Sequence, residues 1–417
     1  MPESVEQVGS PPLTRRERFR AFMRQFNPGA APREAIEGGL VIEEIHGGVH
    51  KHLAARADLE PGSQQLVVGG VGSGKTTVLL LAEKTLAEDG LLPVYVDVPR
   101  ETELVSLGAG TLVAGLSVSL LRRLFLDRDT GGRLIEQLPK DLTKSLFEFA
   151  YGKPSAEPPE RVEPASPESS FSWQPGKLRW PFPALQRDLK EIKKPLNALL
   201  EASRRGRDPV AIFDGLDRLM TTERFWQVVE QDFRLLRDLT VSVISAAPLA
   251  VLFEPARSVM DQFDRVHHLT PLGPHPWNRK ELRAVLDRRD GSNMIGDGEK
   301  TRLCETSGGV LRDLITLARD AGEEASLAGS ERIESAHVET AVSQLGLSYL
   351  RGLGPTQLEI LRSLRRSGVF RLTEPAHIEL LATRRVLEYS VTDFRVHPSL
   401  APWLDFIDKV IEKSGNE

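Results

Sequence analysis

Short apolar runs alternate with stretches of helical periodicity through the first two-thirds of the chain. Gln64–Gly69 (QQLVVG), Leu91–Val98 (LLPVYVDV), Pro209–Phe213 (PVAIF), Leu239–Ile244 (LTVSVI) and Arg265–Thr270 (RVHHLT) have the length of strands. Most are continuously apolar rather than alternating, as strands of a sheet covered on both faces must be. Helical patterns over Thr76–Glu88, Leu112–Leu126 and about Pro183–Arg204 separate them. Strand and helix in alternation at this spacing predict a parallel sheet with helices on its faces.

The flanking regions read differently. Residues 1–13 are polar and predict a disordered tail. Next come Arg15, Arg16, Arg18, Arg20 and Arg24, interleaved with Phe19, Phe22, Met23 and Phe26, ending at Pro28–Pro32. This is a basic helix with an aromatic face. It suits contact with nucleic acid or a partner, and packing on its own domain is the plainer expectation. Residues 151–182 hold Pro154, Pro158, Pro159, Pro164, Pro167 and Pro175 among Ser and Glu, and predict a flexible surface insertion. After Pro271 the pattern turns helical (Arg279–Arg288, Gly309–Ala325, Ile333–Leu345). The tail predicts helices over Pro355–Arg366 and within Glu374–Leu387, and a strand over Val391–His397, which together suggest a winged-helix unit. The expected organisation is a tail and basic helix (1–38), a sheet domain (39–273), a helical domain (274–347) and a winged-helix-like domain (348–417).

Composition narrows the class. The chain has 417 residues, 40% of them apolar and 27% charged, which fits a globular protein of two or three domains. A formal net charge of −5 gives no bulk electrostatic case for nucleic-acid binding and leaves room only for a local basic patch. The single cysteine, Cys304, excludes an intrachain disulfide. Nothing resembles a signal peptide or an unbroken membrane span, so a cytoplasmic chain with no membrane partner is expected.

The chemistry is concentrated in Gly69-Gly70-Val71-Gly72-Ser73-Gly74-Lys75-Thr76, a full match to G-x-x-x-x-G-K-[ST] placed between an apolar strand and a helix. Glycines let backbone N–H groups turn around phosphates, and the helix start aims its positive end at them. The expected nucleotide ligands are Gly70, Val71, Gly72, Ser73, Gly74, Lys75, Thr76 and Thr77. Lys75 adds a full charge at the β- and γ-phosphates, and the Thr76 hydroxyl ligates Mg²⁺. The second acid of such a site belongs at a strand tip. Asp214 follows four apolar residues and is expected to hold Mg²⁺ through its water shell.

With both motifs, the chain resembles the AAA+ ATPases and their relatives the STAND signalling ATPases. The likeness is nearest to initiator-type and NLR-like members with a C-terminal winged helix. The resemblance implies a five-stranded parallel P-loop sheet in the order 5-1-4-3-2 and a helical lid. Phe213-Asp214-Gly215-Leu216-Asp217-Arg218 resembles the hydrophobic-Asp-Gly-Leu-Asp signature of the STAND group. Gly215 stands where typical AAA+ members carry a catalytic Glu, which implies slow hydrolysis. Asp217 then either polarises the attacking water or caps the next turn. Ser245 sits where the family keeps a residue that reads the γ-phosphate, and a core serine is the alternative. Ser307-Gly308-Gly309-Val310-Leu311-Arg312 resembles the lid motif whose arginine, here Arg312, reaches the phosphates; a surface arginine is the alternative. For an arginine finger, Arg257 and Arg265 lie in the right region, and Arg265 is preferred. The segment Val41–Ile45 lies where the family borders the adenine, and His46, His50 and His52 lack a zinc spacing.

The expected function is an ATPase (ATP and water to ADP and phosphate) that works as a nucleotide-controlled switch or assembly factor for a protein partner, with nucleotide-dependent self-association. The alternatives are an ATP-dependent DNA-binding initiator, loader or transposition-type regulator, and a scaffold that keeps ATP or ADP without turnover. On the C-terminal module, Arg362, Arg365, Arg366, Arg371, Arg384 and Arg385 are offset by Glu359, Glu374, Glu379, Glu388 and Asp393, which weakens the case for DNA.

Overall fold

The computed structural model describes residues 14–126, 139–152, 187–204, 207–219, 221–253, 259–273, 276–372 and 374–414. The expected tail and the greater part of the expected 151–182 insertion lie outside these residues, as does Arg257. The chain forms two compact units. One comprises His46–Gly70 and Gly74–Leu269; the other comprises residues up to Ile45, Val71–Ser73 and residues from Thr270 onward.

The first unit is built on five parallel strands: β1 (Gln64–Gly69), β2 (Leu92–Asp97), β3 (Pro209–Asp214), β4 (Ser242–Ala247) and β5 (Arg265–Leu269). Their order is β2-β3-β4-β1-β5, the expected 5-1-4-3-2 read from the other edge. Every residue of β1, β3 and β4 is buried, as in a sheet covered on both faces. Leu53, Val67, Leu79, Ile212 and Ile244 belong to one core cluster here, drawing the helices Val49–Leu59 and Lys75–Glu88 onto the sheet. This is the core of a P-loop NTPase.

Two boundaries differ from expectation. β4 begins at Ser242, not Leu239, because Leu239 closes the helix Thr222–Asp238 and Thr240 turns the chain with φ +54°. A helix at Lys140–Tyr151 runs up to the start of the expected insertion. Asp232, fully buried, accepts hydrogen bonds from the amides of Gly110, Leu112 (2.8 Å) and Val113 (3.2 Å), which satisfies the start of the helix Thr111–Leu126 from a distant element.

The second unit is helical with a small hairpin. Phe19 and Phe22 of the first helix (Arg15–Gln25) and Phe26, which caps it, sit in a core with Leu286, Leu303, Leu314, Leu317 and Val338. Gly322 permits this approach, since a Cβ there would lie 2.6 Å from the Phe22 ring. A cavity of about 220 Å³ is lined by Ile36, Val41, Ile42, Glu43, Glu44 and Arg288. The C-terminal part carries helices Pro355–Ser367, Pro375–Ala382 and Ala401–Ser414 with an antiparallel hairpin, β6 (Val386–Ser390) and β7 (Asp393–Val396). This is a winged-helix-like arrangement.

The expected helix within Glu374–Leu387 stops at Ala382, and the expected Val391–His397 strand is the shorter β7. The reason is Arg384, which takes φ +64° and redirects the chain into β6. Its guanidinium donates to Asp313 at 2.5 Å, and Asp313 also accepts from the Tyr349 hydroxyl at 2.5 Å and lies 3.3 Å from His397 Nε2. Burial pushes the Asp313 carboxyl up, but His397, Arg384 and Tyr349 outweigh it and hold the group below the usual carboxylate range.

Candidate nucleotide-binding site

β1 delivers the chain to the glycine loop at the carboxyl edge of the sheet, and Gly74 starts the following helix with φ +101°, a conformation that a side chain disfavours. Lys75 is therefore the first residue of the helix Lys75–Glu88, and its side chain folds back over the loop. Its ammonium donates to the carbonyl oxygens of Gly69 (2.8 Å) and Gly70 (3.0 Å) and pairs with Asp217 Oδ2 at 2.9 Å. Lys75 is only 6% exposed. A buried ammonium with three oxygen partners is a cation held in place at the glycine loop.

Asp214 ends β3, and β4 lies between β3 and β1. Two strand spacings, about 10 Å, separate the backbones of the two motifs. The link is made by the turn Leu216–Arg218, which packs on β4 and carries Asp217 to Lys75. Asp214 is buried and accepts from the Tyr95 hydroxyl (2.6 Å) and from the Gly215 amide (2.8 Å). Each carboxylate oxygen is thus oriented by one donor and retains lone-pair capacity for metal-bound water.

Two residues at this edge escaped sequence reasoning. Tyr95 is indistinguishable in sequence from a core aromatic of β2, and only the β2–β3 register makes it a partner of Asp214. Asp97 ends β2 opposite Asp214 in that register. Burial raises its carboxyl above the usual range; Arg100 opposes the shift and Asp214 adds to it. The signal in sequence was the same as for Asp214, an aspartate after an apolar run.

Gly215 has φ +88°, and a Cβ there would lie 2.3 Å from Pro99 Cδ. The backbone and Pro99 together keep a glutamate out of this position.

The remaining expected residues are placed as follows. Thr76 and Thr77, both half-buried, occupy the first turn after Lys75. Ser245 is wholly buried inside β4, opposite Leu66 and Phe213, and its hydroxyl donates to the Ala246 carbonyl at 3.0 Å. Arg265 is exposed at the first residue of β5, paired with Gln65 near the amino-terminal end of β1. In the helical unit, Arg312 is the second residue of the helix Leu311–Leu327 and is exposed. Its amide donates to the Gly72 carbonyl at 3.4 Å, a contact within that unit. Gly308 and Gly309 before it have φ +60° and +77°, and a Cβ on Gly309 would overlap the Leu272 carbonyl oxygen at 1.9 Å.

For a metal, the donor set is that of a cation shared with phosphate. Among the described residues no group of three or more His, Cys, Asp or Glu side chains forms a cage. Mg²⁺ keeps several waters and takes few protein ligands alongside phosphate oxygens. The Thr76 hydroxyl and the Asp214 carboxylate fit that need. Among the described residues no helix is long and apolar enough to cross a membrane.

The sequence matches no protein-family model and no curated protein. Solved structures with a similar course include Drosophila ORC bound to DNA, at 14% identity over 92% of this chain and 83% of that one, with a TM-score of 0.44. The Aeropyrum pernix ORC2 protein in its ADP form is 16% identical over 94% of this chain and 98% of that one, with a TM-score of 0.42. The Thermotoga maritima RuvB Holliday junction branch migration motor is 13% identical over 85% and 94%, with a TM-score of 0.37. At these identities and scores the likenesses carry no information about substrate or partner.

Proposed function

We propose that the chain is an AAA+-like ATPase that binds ATP with Mg²⁺ through Gly70–Thr77 and Asp214, hydrolyses it slowly, and uses the nucleotide state to govern self-association and action on a partner macromolecule. The observation that carries this is the buried Lys75 ammonium, held at the glycine loop by Gly69, Gly70 and Asp217. Bound Mg²⁺ would neutralise phosphate charge at Thr76 and Asp214. Lys75 binds and orients the β- and γ-phosphates. Asp217, once released from Lys75, is the carboxylate proposed to orient the attacking water, a task that Gly215 cannot perform. The burial of Ser245 in β4 supports the core role over the sensing role. Arg312 is the proposed phosphate-sensing residue of the helical unit, and Arg265 is retained as the proposed finger toward a neighbouring subunit.

The test is nucleotide binding by calorimetry. Lys75→Ala should weaken ATP binding at least about a hundredfold, the loss expected for a charge-assisted contact of roughly 3 kcal/mol. Binding equal to wild type would overturn the site.

For the partner, the winged-helix-like fold of residues 355–414 favours duplex DNA over a protein, since helix-turn-helix modules place a helix in the major groove. The expected affinity from this module is modest, because several of its arginines are already paired: Arg362 with Asp408 (2.6 Å), Arg365 with Asp405 (2.5 Å), Arg366 with Glu359 (2.6 Å) and Arg385 with the Tyr349 and Arg351 carbonyls (2.8 Å each), while Arg371 is exposed. Fluorescence anisotropy of a labelled duplex, with ATP, ADP and no nucleotide, decides between them. Salt-sensitive binding that responds to nucleotide supports the DNA reading, and its absence returns the partner to protein.

A further inference from the structure

The first helix divides its arginines by face. Arg15 donates to the carbonyls of Ser326 (2.8 Å) and Ser330 (2.8 Å), closing the end of the helix Leu311–Leu327, and Arg18 pairs with Glu331. Both flank the aromatic face, where Phe19, Phe22 and Phe26 are buried. Arg16, Arg20 and Arg24 recur at every fourth residue on another side of the helix. All three are exposed, and among the described residues none makes a salt bridge or hydrogen bond. Four residues rise about 6 Å, so the three guanidinium-bearing positions span about 12 Å along one stripe.

That stripe is unusual in this molecule. Among the described residues many arginines are paired with carboxylates, including Arg362, Arg365, Arg366 and Arg384 of the winged-helix-like module. Three exposed cations on a helix anchored by buried aromatic rings form a charge row, with Glu17 the acid that interacts with Arg20. Each strand of duplex DNA carries one negative charge per about 3.4 Å of helix axis, so a 12 Å row spans roughly three phosphates of one strand.

We infer that Arg16, Arg20 and Arg24 form a phosphate-backbone contact for duplex DNA, an inference that rests on the DNA reading above and assigns its main electrostatic anchor to the N-terminal helix. The test uses the full chain and a fluorescein-labelled 30-base-pair duplex in anisotropy titrations across a salt series. Arg16→Gln/Arg20→Gln/Arg24→Gln keeps helix propensity while removing the charge. It should weaken binding by about tenfold to a hundredfold and lower the salt-dependence slope by about 2 to 3, roughly one per lost phosphate contact. Replacement of all three by Lys should restore most of both. ATP affinity should match wild type, which shows that the variant is folded.

If wild type binds the duplex and the Gln variant binds with the same affinity and slope, the inference fails while the DNA reading stands. If wild type does not bind the duplex, both fail. If vesicles of anionic lipid bind through these arginines and the duplex does not, the row serves a membrane surface and the inference is overturned.

Discussion

Asp217 Oδ2 lies 2.9 Å from Lys75 Nζ, with the ammonium 6% and the carboxylate 18% exposed. Under the proposed function, the acid stands where phosphate oxygens would sit, so nucleotide binding would have to break this pair.

Asp217→Asn is therefore expected to separate binding from turnover. With the competing charge removed, ATP should bind about three- to tenfold more tightly, a gain on the order of 1 kcal/mol. Turnover should fall at least about tenfold, because the carboxylate that orients water is gone. Calorimetry and a steady-state phosphate-release assay read the two effects. Weaker ATP binding would mean that Asp217 only positions Lys75.

Gly215→Glu should not create a fast ATPase, although it restores the residue type of typical AAA+ members. The new side chain meets Pro99 and sits on a backbone at φ +88°. Strain of about 1–3 kcal/mol from the backbone alone, with the overlap added, should lower the melting temperature by several degrees. Thermal unfolding and phosphate release check the outcome. Rapid hydrolysis at unchanged stability would contradict it.

His267 on β5 makes the sheet unit sensitive to mild acid. Burial depresses its imidazole to about 4, and the positive charges of Arg265, His52 and Arg56 add to the effect. The unfolded chain binds this proton near pH 6.5, so between about pH 6.5 and 4 the unfolded state holds more protons than the folded one. Stability from this group is complete above pH 6.5 and declines as pH falls toward 4. His267→Gln should flatten that decline in denaturant titrations run from pH 7 to 4.5. An unchanged slope would place the acid sensitivity elsewhere.

Much of the candidate site was marked out before folding. The glycine loop, Lys75 and Thr76 are singled out by the local requirements of phosphate binding, and Asp214 by its position after an apolar run. Tyr95 was not legible, because a tyrosine in a strand gives no sign of which neighbour its hydroxyl will meet. The start of β4 was not legible for a related reason. The apolar run beginning at Leu239 looks like one strand, while the end of the preceding helix and the turn at Thr240 take its first residues. In the tail, the Leu-rich segment through Leu387 carries a helical pattern, and the contact of Arg384 with Asp313, 71 residues away in sequence, turns part of it into a strand.

By itself, the sequence determined the alternation that makes a covered parallel sheet, the order of its strands through the family resemblance, and the phosphate loop, because these depend on periodicity and on short-range geometry. Tertiary structure alone decided that the turn after β3 carries Asp217 to Lys75. It also decided that Pro99 closes the Gly215 position and which arginines are paired and which are left exposed. Those outcomes depend on register and on the distances between elements remote in sequence, and no local pattern carries that information.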